Sequence, residues 1–223
     1  MKKVIEPDLQ RLIIGINDLR NNGLLYGKIG VALAMYHFAN SRSRYFLNDF
    51  ADGLVEETLN SITKYDNYDF AYGLCGIGWA VEYLIHHKYV EGDSLSICEY
   101  LDEAIMKINP NRLDYGLEHG LKGLLHYVLA HIYNCYNQCG IIPFDNDFLN
   151  DLKSACKTAY INTKDIELLN LCNNFFNFIS GKEISYSYNI CQFIQKSDKK
   201  DEEMASDLSI RTGLSGKLLL NLL

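Results

Sequence analysis

Two kinds of apolar run alternate along the chain. One kind is apolar nearly all round, as in Val31 to Phe38, Ile77 to Ile85, Leu124 to Ile132 and Leu218 to Leu223. The other carries a single stripe: Phe46/Leu47, Phe50/Ala51, Leu54/Val55, Thr58/Leu59 and Ile62 recur beside Asn48, Asp49, Asp52, Glu56 and Glu57. That spacing predicts a helix with one buried face. Ile97 to Ile108 and Phe148 to Ala159 repeat the striped pattern. Enclosed helices alternating with amphipathic ones predict helical hairpins, with the enclosed members forming an inner layer. A further helix is predicted over Pro7 to Leu19, stopped by Asn21-Asn22-Gly23, residues that tolerate a left-handed backbone.

Each enclosed run opens on a GxxG motif: Gly27-Lys-Ile-Gly30, Gly73-Leu-Cys-Gly76, Gly120-Leu-Lys-Gly123 and Gly213-Leu-Ser-Gly216. The first glycines stand 46, 47 and 93 residues apart, and the last interval is two periods. A repeat without its glycines therefore begins near residue 166, where Ile166 to Ile179 is an apolar helical run. A constant period of this length marks stacked units, none of which buries its apolar face alone. The expected fold is all-α: an α/α toroid or curved solenoid of about five hairpins, one domain over residues 1–223. Five hairpins leave a ring tightened, open, or completed by another chain. An open ring would expose apolar helix faces and favour a homo-oligomer.

Composition narrows the function. A formal charge of −7 offers no basic footprint for nucleic acid. No stretch approaches the roughly 18 apolar residues of a membrane span, and Met1 to Asp8 lacks a signal-peptide core, so a cytoplasmic protein without membrane insertion is expected. Seven scattered cysteines without CxxC pairs argue for free, mostly buried thiols. Lys196 to Glu203 is a mixed charge run that suits a solvated loop.

The candidate chemistry gathers where the enclosed helices begin. Inner helices running in one sense would bring their positive N-terminal ends and free N–H groups together, near Asp69, Tyr72, Asp114, Tyr115, Glu118 and His119. His119 is either a helix-start residue bonded to a carbonyl or an acid/base group. Asp69 is either a cap or a catalytic carboxylate. Asp114 and Glu118 suit the helix N-termini as well as they suit a ligand. Tyr72, Trp79 and Tyr115 would line a cavity or fill the core. His131, Cys135 and Cys139 share one helix face, but a straight run converges poorly on one ion, and no metal is expected there. His86-His87 suits a helix C-terminus, and Cys75 a small packed thiol.

These motifs resemble the lanthionine synthetase C-like family, the cyclases of lantibiotic-type peptide maturation. Gly116-Leu-Glu-His-Gly-Leu-Lys-Gly123 is similar to its G-L-x-H-G-x-x-G segment, Tyr68-Asp-Phe-Ala-Tyr-Gly-Leu-Cys-Gly-Ile-Gly78 to its Y-D-x-x-x-G-L-x-G-I segment, and Thr212 to Leu220 to its last repeat. The resemblance implies an α/α toroid, Asp69 and His119 as the catalytic, proton-transferring pair, and Tyr72, Trp79, Asp114, Tyr115 and Glu118 as substrate-binding neighbours. The family's zinc is held by W-C-Y-G and C-H-G motifs. Here Trp79 precedes Ala80 and Glu118 precedes His119, so the resemblance implies a zinc-less relative with no cofactor. Its partner would be a precursor peptide or a peptide-modifying enzyme. The alternative is an α/α-toroid enzyme using Asp69 and His119 on a peptide or a carbohydrate.

Overall fold

Each glycine motif is the end of a loop that starts six residues earlier on Asn or Asp. The carbonyls of Asn21, Asn67, Asp114 and Asp207 accept hydrogen bonds from the N–H groups seven residues on, of Lys28, Leu74, Leu121 and Leu214, at 2.7–2.9 Å. Their side-chain oxygens accept from the backbone two residues on, at Gly23, Asp69, Gly116 and Ser209. These are Asx turns, and they fold the chain tightly against the helix that follows. A Cβ at Gly73 would stand 2.0 Å from the Asn67 carbonyl oxygen, and one at Gly120 2.1 Å from Asp114 Oδ1. The first glycine of each motif is required by that approach. The second meets the same loop, since a Cβ at Gly30, Gly123 or Gly216 would stand 2.0–2.2 Å from the carbonyl oxygen six residues back.

The computed structural model describes residues 5–42, 46–63, 66–195 and 206–223. The expected charged loop over 196–203 lies outside the described residues. Within them the protein is all-α, with no strand and nine α-helices: α1 (Ile5–Gly15), α2 (Lys28–Arg42), α3 (Phe46–Asn60), α4 (Leu74–His86), α5 (Ser94–Ile105), α6 (Leu121–Cys139), α7 (Asn146–Asn162), α8 (Ile166–Ile179) and α9 (Leu214–Leu220). The enclosed runs are α2, α4, α6 and α9, and the striped runs are α3, α5 and α7. Every residue of α4 from Leu74 to Ile85 is buried. Asn21 to Gly23 do not take the expected left-handed stop, because positive φ among the described residues is confined to Lys88, Gly140 and Gly181. Asn21 instead opens the first Asx loop.

The chain divides into two compact units, residues 1–65 with 189–223, and residues 66–188. In the first, α2 packs on α3 and α9 packs on both α2 and α1. The last glycine motif thus lies beside the first, and Arg211 N–H donates to the Leu25 carbonyl at 3.0 Å. In the second unit α4, α6 and α8 follow one another as packed neighbours, with α5 against α4 and α6, and α7 against α8. The repeat without glycines is α8, and it begins differently. Asp165 caps it, its carboxylate accepting from Leu168 N–H at 3.1 Å. Only Leu168, Leu171, Cys172 and Phe175 of α8 are buried, so it is amphipathic where the glycine-led helices are enclosed.

Candidate functional site

In the second unit the loops before α4 and α6 are sewn together. Phe70 N–H and Ala71 N–H both donate to the Glu118 carbonyl, at 2.9 and 3.1 Å. That contact sets Asp69, on one loop, against His119, on the other: Nδ1 of His119 lies 2.9 Å from Asp69 Oδ2. Asp69 is 3% exposed, whereas the His119 side chain is 56% exposed. The carboxylate also accepts from Tyr72 N–H at 2.6 Å and Asn67 Nδ2 at 2.5 Å. Three donors thus converge on one buried carboxylate. With the Asp69 oxygen as acceptor, the His119 proton of this contact sits on Nδ1. His119 Nε2 is thereby left as the nitrogen that can take or deliver a proton.

The other expected site residues fall into two groups. Tyr72 lies parallel to His119, with ring centroids 6.1 Å apart. Burial and the charges of Glu118 and Asp69 push its phenol above the usual range, so Tyr72, Glu118, Asp69 and His119 are brought together. Asp114 is a loop former, with Oδ1 accepting from Gly116 N–H at 2.6 Å. Tyr115 turns toward the end of α7, where its hydroxyl meets Asn162 Nδ2 at 3.5 Å. Trp79 does not reach the surface at all. It is 0% exposed, and its indole N–H donates to the Tyr186 hydroxyl at 2.7 Å, so of its two expected places, cavity wall or core, it takes the core.

The helix ends also differ from expectation. The first-turn N–H groups of α4 are taken by its own loop, Leu74 by Asn67 O, Cys75 by Tyr68 O and Gly76 by Asp69 O. They are not free donors for an anion. The chemistry at this end rests on side chains.

A polar chain that the sequence did not announce runs beside the pair. Tyr186, which accepts from Trp79, lies 2.8 Å from His126 Nδ1. His126 Nε2 lies 3.3 Å from Glu167 Oε1. Burial lowers the His126 pKa, so the neutral ring accepts from Tyr186 and donates to Glu167. Lys122 completes the chain with Asp165 at 2.5 Å and Glu167 at 3.2 Å. Glu167 is held down at about 2, chiefly by the hydrogen bond from His126 and then by Lys122. These carboxylates stand where a glycine loop would have preceded α8, and no periodic motif marks them. The Asn or Asp that opens each glycine loop, by contrast, stands at a constant offset of six residues before the first glycine.

A second histidine cluster lies deeper. His131 Nδ1 is 2.5 Å from Glu82 Oε1 and its Nε2 is 2.8 Å from Asp102 Oδ2. Glu82 and His131 are 0% exposed and Asp102 is 3%. Burial alone would depress the imidazole, but the bonds to Asp102, Cys135 and Glu82 outweigh it and raise its pKa to about 12. Cys139 is exposed, its thiol donating to the Cys135 carbonyl. His131, Cys135 and Cys139 therefore do not converge on one point. At the other end of α4, His87 Nδ1 meets the Tyr83 carbonyl at 2.9 Å, a helix C-terminal contact as expected.

The family's zinc does not fit at the Asp69–His119 end. Neither loop contains a cysteine. The thiol nearest in sequence, Cys75, is buried, and burial and then the Asp69 charge push its pKa well up. A thiolate donor is absent where the pair stands. Among the described residues no helix is long and apolar enough to cross a membrane.

No curated protein matches the chain. The family model described as lanthionine synthetase C-like protein matches residues 2–158, a span that carries three of the four Asx–Gly loops and both members of the Asp69–His119 pair. With that match over more than half its length, and an all-α fold, the chain belongs to the lanthionine synthetase C-like family.

Proposed function

We propose that the protein serves peptide natural-product maturation of the lanthipeptide type, as a relative of the cyclases that binds a precursor peptide without the family's zinc. The observation that carries this reading is the Asp69–His119 pair itself. Its carboxylate is buried and held by three donors, while its imidazole is open to whatever lies over the loops. Tyr72, 41% exposed, extends the pair with a flat aromatic face on which a peptide side chain can rest. A peptide-modifying enzyme would then act on the peptide held there.

The same geometry favours a second reading, an acid/base enzyme of the same peptide chemistry. Asp69 fixes the tautomer and orientation of His119, and Nε2 takes a proton from, or returns one to, a bound substrate. A carbohydrate substrate gains no support, because both Asp69 oxygens are occupied by hydrogen bonds.

The test uses the full chain and labelled peptides encoded by neighbouring genes, with binding followed by fluorescence anisotropy and product by mass spectrometry after thiol labelling. We expect His119→Ala to weaken binding at least about tenfold, the loss of roughly one good polar contact. No binding to any such peptide, together with unchanged product when the gene is deleted, would overturn the proposal. Binding unchanged by His119→Ala but product lost would favour the enzyme reading.

A further inference from the structure

The cluster around His131 has more ligand atoms than an ion triad needs. Besides Glu82 and Asp102 it draws in Cys98 from α5, Cys135 from α6 and Ser94 from the first turn of α5, all buried. One donor atom each of Glu82, Cys98 and His131 lies within 4.8 Å of the other two. Cys98 Sγ is 3.6 Å from Glu82 Oε1, and Cys135 Sγ is 3.6 Å from His131 Nδ1.

We infer that Glu82, Cys98, His131 and Cys135 form a buried structural site for a divalent metal ion of the zinc class. Around tetrahedral zinc, bond lengths of about 2.0 Å to O or N and 2.3 Å to S place sulfur about 3.5 Å from its oxygen and nitrogen neighbours. The two contacts to sulfur already have that spacing. The Glu82–His131 contact must open, from 2.5 Å to about 3.3 Å, and the Cys135 sulfur must close in on the set of Glu82, Cys98 and His131 donors that already lie within 4.8 Å of one another.

The surrounding hydrogen bonds orient the same atoms. The His131 nitrogen that faces away from the site meets Asp102 Oδ2, and Asp102 is held in turn by the Tyr127 hydroxyl at 2.6 Å. The Glu82 oxygen that faces away accepts from Asn134 Nδ2 at 2.5 Å. A carboxylate behind a ligating imidazole, and an amide behind a ligating carboxylate, are the outer partners that set ligand direction in metal centres. Ser94 Oγ, hydrogen-bonded to Glu82 Oε1 and 3.2 Å from His131 Nδ1, remains as an outer donor. Binding displaces the Nδ1 proton of His131 and the thiol protons of Cys98 and Cys135. The helices α4, α5 and α6 each supply a ligand, so the ion ties three helices of the second unit. It shares no residue with the Asp69–His119 pair and stands or falls independently of the peptide reading.

The full chain is produced in medium supplemented with zinc or with cobalt, since a site this enclosed loads as the helices come together. Metal is measured by elemental mass spectrometry and the cobalt form by absorption. We expect about one equivalent per chain and a thiolate-to-cobalt charge-transfer band. Cys98→Ser and Cys135→Ser each remove about half of that band, while Cys139→Ser and Cys156→Ser leave it unchanged. Metal-free wild-type protein from both media would overturn the inference and leave a purely ionic network. So would a band that Cys98→Ser leaves undiminished. The wild-type measurement decides even if a variant fails to fold.

Discussion

Two histidines of the second unit are each bound to buried carboxylate, and they differ in one respect. His119 has one nitrogen committed, to Asp69, and more than half of its side chain in solvent. His131 has both nitrogens committed, to Glu82 and Asp102, and no exposure. A ring engaged on one side can exchange a proton or contact a ligand. A ring engaged on both sides joins three helices and can do neither without breaking a buried contact. Sequence neighbours gave little warning of the difference, since both stand on or just before α6. The separation comes from depth along the helix: His119 precedes the first turn, and His131 lies three turns in.

The comparison predicts its largest effect at the closed site. In the metal-free protein, His131→Ala leaves Glu82 and Asp102 buried without their shared cation, and removing one partner of a buried ion network costs about 3–5 kcal/mol. Urea unfolding should show that loss. A change below about 1 kcal/mol would mean that the buried carboxylates are neutral without the imidazole, and would collapse the distinction between the two sites.

The next effect concerns how the open site is held. Gly73→Ala puts a methyl 2.0 Å from the Asn67 carbonyl, and Asn67 is also a ligand of the Asp69 carboxylate. Backbone cannot yield as a side chain can, so the variant should lose about 3 kcal/mol, the upper part of the overpacking range. Gly53, in the middle of α3, has nothing within 4 Å of its missing Cβ. Gly53→Ala should therefore stabilise by about 0.5–1 kcal/mol through helix propensity. Thermal melts of the two variants, moving in opposite directions, separate glycine as close approach from glycine as mere interruption.

That contrast also shows what was legible beforehand. The glycines marked α2, α4, α6 and α9 because a Cβ is forbidden there by the loop's own carbonyls, a local constraint that writes itself into the repeat. The Asn and Asp residues that open the loops are equally local, and Asp114 was noticed for its charge when its role was the Asx turn. The pairing of Asp69 with His119, 50 residues apart, followed from the family motif and depends on adjacent repeats docking loop to loop. The closed cluster was not legible. Glu82 is one carboxylate in an enclosed apolar helix, and only the packing of α4 with α5 and α6 shows that Asp102 and His131 meet it. Lys122, Asp165 and Glu167 were hidden for the opposite reason: they belong to the repeat that lost its pattern.

Asp69→Ala should cost about 2 kcal/mol, because it removes the charged acceptor of two part-buried hydrogen bonds, from Tyr72 N–H and Asn67 Nδ2. A smaller effect belongs to the carboxylate in the first turn of α8. The folded Glu167 pKa, about 2, lies below its ordinary 4.5. Its contribution is thus present above about pH 4.5 and is lost as the pH falls through about 2. The side chain is 42% exposed, and solvent screening limits the amount to less than about 1 kcal/mol. Glu167→Gln should flatten the acid limb of the stability curve by that amount, and an unchanged limb would remove Lys122 and His126 as its partners in solution.

The smallest effect on stability is expected where the functional consequence is greatest. His119→Ala removes an exposed ring and one hydrogen bond to a carboxylate that keeps two other donors, Tyr72 N–H and Asn67 Nδ2. Surface truncations of this kind change stability by no more than about 0.5 kcal/mol. The variant should melt with the wild type while losing peptide binding, so the same substitution type at positions 119 and 131 would divide cleanly into function and fold. Should His119→Ala instead unfold the protein as His131→Ala does, the open nitrogen is not open in solution, and Asp69–His119 is a structural clasp between two loops rather than a place where chemistry or recognition occurs.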